Sequence, residues 1–124
     1  MAKILIVDDA KFALAMLSKI VSEMGHEIIT ASNGREGIAR TVEDRPEVIL
    51  TDLLMPEMDG LEFIAALRDE GIKVPVIVIT ANIQETVRQR CVEAGVVAFI
   101  TKPPKRETVL QAVAAALSAG APSE

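Results

Sequence analysis

The chain has 124 residues, a net charge of −5 and a single cysteine. That length supports one domain with a core and is too short for two. Half of the residues are hydrophobic and a quarter charged, which excludes a disordered or fibrous chain. Acidity without a Lys/Arg run argues against nucleic acid or an anionic membrane as partner.

In chain order, "KILIV" (3–7) reads as a strand, and its apolar run stops at Asp8 and Asp9. The run is too short for a signal-peptide core or a membrane span, so a soluble, cytoplasmic protein is expected. Next, "KFALAMLSKIVSEM" places Ala13, Met16, Leu17, Ile20, Val21 and Met24 on one helical face, with Gly25 as the stop. His26, in "MGHE", reads as a solvated link residue.

"EIITA" (27–31) is the second predicted strand. Asn33 followed by Glu36 signals the start of a helix over "GREGIARTVED". "VILT" (48–51) is a third strand and ends at Asp52. Asp59 with Glu62 opens the helix "GLEFIAALRDE", closed by Gly71. "PVIVI" (75–79) leads to Thr80, and Asn82 with Glu85 opens "IQETVRQRCVEA", closed by Gly95. Within it, Cys91 stands at helical spacing from Val87 and reads as a small core residue. "AFIT" (98–101) leads to Lys102, and Pro104 reads as the start of the last helix, "RETVLQAVAAAL". A domain over 1–119 and a flexible tail over 120–124 are expected.

The apolar runs are mostly continuous, as in strands covered on both faces. Their alternation with amphipathic segments predicts an α/β domain, a doubly wound five-stranded parallel sheet. In such sheets ligands bind outside the carboxyl ends of the strands. Asp8 and Asp9, Asp52, Thr80 and Lys102 all follow strands at that end. Taken singly, each has a plainer reading as a helix cap, turn residue or surface lysine. Their joint placement points to one rim.

Clustered carboxylates repel unless a cation sits among them. Oxygen donors with no His or Cys nearby select Mg²⁺, or Mn²⁺, over zinc. A lysine and a hydroxyl across from the metal complete a clamp for a phosphoryl group. A carboxylate in that clamp can be the nucleophile that forms an acyl phosphate. A haloacid-dehalogenase-like phosphatase would need an aspartate two residues after the nucleophile, where this chain has Leu54. A flavodoxin would need a Ser/Thr/Gly-rich phosphate loop after the first strand, where this chain has "DDAKF".

The motifs "VDD", "TDLLMPEMDG", "ITA" and "TKP", in this order from Lys3 to about Leu117, resemble the receiver domain of two-component response regulators, most closely the chemotaxis type. The resemblance implies a flavodoxin-like strand order 2-1-3-4-5. It implies Asp52 as phosphoacceptor, Asp9 as direct Mg²⁺ ligand, Asp8 as ligand through water, and the Leu54 backbone carbonyl as a further ligand. Thr80 would hold a phosphoryl oxygen and Lys102 its charge. Lys102–Pro103 would be a cis peptide, a form accessible before proline. Phe99 would be the aromatic switch that follows Thr80, altering the surface of the fourth helix, fifth strand and fifth helix. Met55, Pro56 and Gly60 shape the loop after Asp52 and carry no chemistry.

The implied role is a signalling switch, charged by a sensor histidine kinase and read by a downstream protein on that surface. Its only catalysis would be on its own phosphorylation and dephosphorylation. Two alternatives stay open: a relay that passes the phosphoryl group to a histidine phosphotransfer protein, and a metal-dependent phosphatase. Leu54 and Asn82 occupy positions that tune acyl phosphate lifetime in the family. An apolar Leu54 cannot orient an attacking water, so a long lifetime is expected.

Overall fold

Five strands alternate with five helices in the computed structural model, which describes residues 2–82 and 84–120. They are β1 (Lys3–Val7), α1 (Lys11–Ser22), β2 (Glu27–Ala31), α2 (Gly34–Asp44), β3 (Val48–Thr51), α3 (Gly60–Asp69), β4 (Val76–Thr80), α4 (Glu85–Glu93), β5 (Ala98–Thr101) and α5 (Arg106–Gly120). All strand pairs are parallel, in the order β2-β1-β3-β4-β5. The chain steps one way from β1 to β2 and the other way to β3. The reversal therefore leaves the carboxyl ends of β1 and β3 side by side, with Val7 opposite Thr51.

Alternate side chains of the central strands serve two cores. Ile4, Ile6, Val48, Leu50, Ile77 and Ile79 meet Leu17 and Val21 of α1 and Val109 and Val113 of α5. Leu5, Val7, Ile49, Val76 and Val78 meet Phe63, Ile64 and Leu67 of α3. Each fully buried aliphatic side chain contributes about 1.5–3 kcal/mol, so this two-sided burial is what holds the sheet. β2 and β5 form the edges and are less buried, in keeping with their place.

Strand β4 begins one residue later than its apolar run and takes in Thr80. Pro75 has no N–H to enter the ladder; its carbonyl instead accepts the Ile49 N–H at 3.0 Å. At α3 the capping box is complete, with Asp59 and Glu62 each accepting the other's backbone N–H. At α2, Asn33 caps Glu36 N–H at 2.8 Å, but the Glu36 carboxylate turns to Ser32, accepting its N–H at 2.7 Å and its hydroxyl at 3.0 Å. Those bonds hold Glu36 below the usual carboxylate range.

Three expectations need correction. Helix α4 has Gln84 at its N-cap position, with no side-chain cap bond, because Asn82 spends its side-chain oxygen on the Gln84 N–H (3.0 Å) in a turn ahead of the helix. Ile83, expected inside this helix, lies outside the described residues. Helix α5 starts at Arg106, not Pro104. The Lys105 carbonyl accepts the Val109 N–H at 3.1 Å and makes the first turn, leaving the proline upstream. His26 is half-buried and not simply solvated, because its Nδ1 accepts the Ala2 N–H at 3.0 Å.

Gly25, Gly71 and Gly95 end their helices with φ of 87°, 78° and 83°. Helix α2 ends on Arg45 in the same left-handed region (φ 50°), which no glycine signalled. Cys91 is fully buried in the core, and that burial pushes its thiol pKa up. Helix α5 extends past Leu117 to Gly120, the first residue of the expected tail; residues 121–124 lie outside the described residues. No helix among the described residues is long and apolar enough to cross a membrane.

Candidate functional site

Three polar residues stand one step beyond a strand, and their own amides continue the ladder. Asp8 N–H donates to Ala31 O at 3.1 Å, Asp52 N–H to Val7 O at 3.1 Å, and Lys102 N–H to Thr80 O at 2.8 Å. The backbone is thus pinned where the apolar run stops, and the side chains leave the sheet at one rim.

There they converge. Lys102 Nζ lies 2.9 Å from Asp8 Oδ2 and 2.9 Å from Asp52 Oδ2. The other oxygens are engaged as well. Asp8 Oδ1 accepts the Ala10 N–H at 2.9 Å, and Asp52 Oδ1 accepts Leu53 N–H at 2.6 Å and Leu54 N–H at 3.3 Å. Asp8 and Asp52 are only 1 % and 8 % exposed. Two carboxylates so deprived of water demand a counter-charge and hydrogen bonds, and both are present. Burial by itself would lower the Lys102 pKa. Its hydrogen bonds to Asp52 and Asp8, and their charges, outweigh this and hold it above the ordinary lysine value.

The backbone beneath Asp52 is tightly supported. Gly60, the first residue of α3, donates its N–H to the Leu53 carbonyl at 2.9 Å. A Cβ at Gly60 would collide with the Asp52 carbonyl and lie 2.8 Å from Leu53 Cα. Only glycine lets α3 start against this segment. Two residues past Asp52, Leu54 projects outward, 62 % exposed. Between them and α3, Glu57 takes a positive φ of 71° in the loop that Pro56 opens.

The remaining predicted residues sit around this triad. Thr80 is fully buried, and its hydroxyl accepts the Asn82 N–H at 3.3 Å; among the described residues that hydroxyl makes no hydrogen bond to the triad side chains. Asp9 is exposed and stands apart from the Asp8–Lys102–Asp52 contacts. Phe99 is half-buried against the α3-side core. The Lys102–Pro103 peptide is cis.

Among the described residues, no group of three or more His, Cys, Asp or Glu side chains is assembled as a metal cage. The donor chemistry nonetheless suits a hard divalent cation. Asp8 and Asp52 already share one cationic group, Asp9 stands next in the chain, and neither His nor Cys is among them.

Two arrangements carry no signal in the sequence. One is the fit of Gly60 against Asp52, since "MDG" reads only as a turn. The other is Arg88 of α4, whose guanidinium carbon lies 5.5 Å from the Phe99 ring centroid.

Known proteins share this fold. The sequence model of the response regulator receiver domain matches residues 4–114. Protein PilH of Pseudomonas aeruginosa is 34 % identical over 120 residues, covering 95 % of this chain and 99 % of that protein. Chemotaxis protein CheY of Listeria monocytogenes is 36 % identical over 114 residues, covering 91 % of this chain and 96 % of that one. The solved structure of chemotaxis protein CheY4 of Vibrio cholerae superposes with a TM-score of 0.88 at 33 % identity, covering 94 % of this chain and 99 % of that chain. With this strand order, this rim and these relatives, the chain belongs to the response regulator receiver domain family, in its CheY-like form.

Proposed function

We propose that the chain is a phosphorylation-activated switch in two-component signalling, with Asp52 as the phosphoryl acceptor and a sensor histidine kinase as the donor. The observation that carries this is the shared hold of Lys102 on Asp52 and Asp8, 2.9 Å from each, at the carboxyl rim of a CheY-like sheet.

An Asp52 oxygen attacks the phosphorus of a phosphohistidine. A P–O bond forms, the P–N bond breaks, and the imidazole leaves with a proton. Lys102 loses part of its hold on the carboxylate and pairs with the incoming phosphoryl oxygens instead. The Thr80 hydroxyl, whose bond to the Asn82 N–H is long at 3.3 Å, is available to turn to another phosphoryl oxygen. Asp8, Asp9, Asp52 and the Leu54 carbonyl would hold Mg²⁺, which neutralises charge on the transferring group when bound. Phe99 follows Thr80, and the face of α4, β5 and α5 changes its affinity for a downstream protein. Val92 and Val97 are large apolar residues exposed on that side, available to a partner. The exposed, apolar Leu54 supplies no acid for turnover of free phosphoesters, which disfavours the phosphatase reading.

Acetyl phosphate and Mg²⁺ with intact-mass detection test the proposal. Wild type is expected to gain one phosphoryl group, sensitive to EDTA during loading and labile to hydroxylamine, and Asp52→Asn none. An unmodified wild type that is folded and binds Mg²⁺ would overturn it.

A further inference from the structure

Helix α4 is the least anchored of the helices that flank the site. Its one fully buried residue is Cys91, with Val87 and Ala94 partly buried, whereas α3 buries Phe63, Ile64 and Leu67. Besides these apolar contacts, one cationic side chain reaches from α4 to β5. Arg88 places its guanidinium over the Phe99 ring, 5.5 Å from the centroid, within the range of cation–π attraction. Arg88 is exposed, and among the described residues it makes no ion pair that would hold it elsewhere. Phe99 lies opposite Val78 and Thr101 opposite Thr80 in the β4–β5 ladder, so the ring and Thr80 share one pair of strands, with Lys102 one residue past its end.

We propose that Arg88 is a positioning residue that holds Phe99 in its resting place and so sets how readily the switch is thrown. The proposal rests on the reading of Asp52 as acceptor and Phe99 as the responding ring. Any rearrangement that carries the ring out from under Arg88 loses the stack. The stack therefore favours the resting state, and by linkage it weakens binding of a phosphoryl group or its mimic by the same factor. For an exposed cation–π contact that factor is about two- to fivefold. The planar guanidinium stacks better than an ammonium, so lysine would replace it only in part.

The chain has three phenylalanines, Phe12, Phe63 and Phe99, so each ring can be followed by ¹³C-resolved NMR. Wild type, Arg88→Lys and Arg88→Met are titrated with beryllofluoride in Mg²⁺, and thermal midpoints are recorded without the mimic. Without it, Arg88→Met is expected to show the Phe99 signals already displaced toward their bound positions. Its half-response should come at about two- to fivefold less beryllofluoride than wild type, with Arg88→Lys between them and midpoints little changed. An Arg88→Met titration that overlays wild type, with an undisplaced ring, would overturn the proposal. If wild-type Phe99 fails to respond while acetyl phosphate still modifies Asp52, the latch is wrong and the acceptor reading stands. If neither occurs, the acceptor reading fails and the latch falls with it.

Discussion

At the carboxyl end of the sheet Asp8 and Asp52 are nearly buried and share one lysine. At the amino end Glu27, Glu43, Asp44 and Glu47 stand with Lys3 and Arg45 around an open cleft of about 460 Å³. The cleft at the amino end has the plainer chemistry. Its charges keep most of their water, and its contacts are loose, such as the 3.3 Å bond from Lys3 N–H to Glu47 and the 3.4 Å bond from Lys3 Nζ to the Asp44 carbonyl. Such contacts contribute little. At the carboxyl end the acids have lost their water and depend on Lys102. Desolvated, paired charge is what sets the carboxyl end apart.

The largest effect that would sharpen this contrast is steric. Gly60→Val forces a side chain into the Asp52–Leu53 backbone and is expected to cost about 3 kcal/mol in urea unfolding. Glu47→Ala, at the other end, should stay within about 0.5 kcal/mol. Equal effects would mean that the two ends are packed alike.

Next comes charge. Lys102→Met leaves Asp8 and Asp52 facing each other without their cation. The loss should be about 2 kcal/mol, less than for a fully buried pair because the Lys102 side chain keeps 22 % of its exposure. Mg²⁺ should raise the unfolding midpoint of this variant more than that of wild type. A variant as stable as wild type without metal would show that the two acids need no counter-charge.

A kinetic effect follows. Leu54→Asn should leave stability within about 0.5 kcal/mol, because the side chain is 62 % exposed. It should shorten the life of the phosphoryl group severalfold, by orienting water at the acyl phosphate. Unchanged decay, read by intact mass after removal of the donor, would refute the role assigned to position 54.

The smallest effects are those of pH. Lys102 is held above the ordinary lysine value of 10.5. Its contribution is therefore complete below that value and is lost as pH rises through the higher folded value. Glu36 is held below the ordinary value of 4.5, so its contribution is present above 4.5 and is lost as pH falls through the lower folded value. Glu36 faces solvent, and screening keeps its effect small. Unfolding midpoints across pH should show Lys102→Met flattening the alkaline limb, and Glu36→Gln trimming the acid limb slightly.

The order and type of the elements were legible because five Ile/Val runs and five amphipathic stretches alternate without ambiguity. Complete caps, such as Asp59 with Glu62, were legible for the same local reason. The start of α4 was not. Asn82 carries the right side chain for a cap, but its oxygen is used one turn too early. Pro104 likewise suits a first helical residue, yet the first turn closes on the Lys105 carbonyl. Local chemistry allows both outcomes, and neighbouring structure selects one.

By itself, the sequence determined that acids, a hydroxyl and a lysine would follow apolar strands, since a two-sided sheet tolerates them only at its ends. Only the tertiary structure decided which of them meet. It joined Lys102 to Asp8 and Asp52, turned Thr80 to Asn82, left Asp9 in solvent, and set Arg88 over Phe99. Those partners are separated by up to 94 positions in the chain, and no local periodicity records a contact made by folding a sheet back on itself.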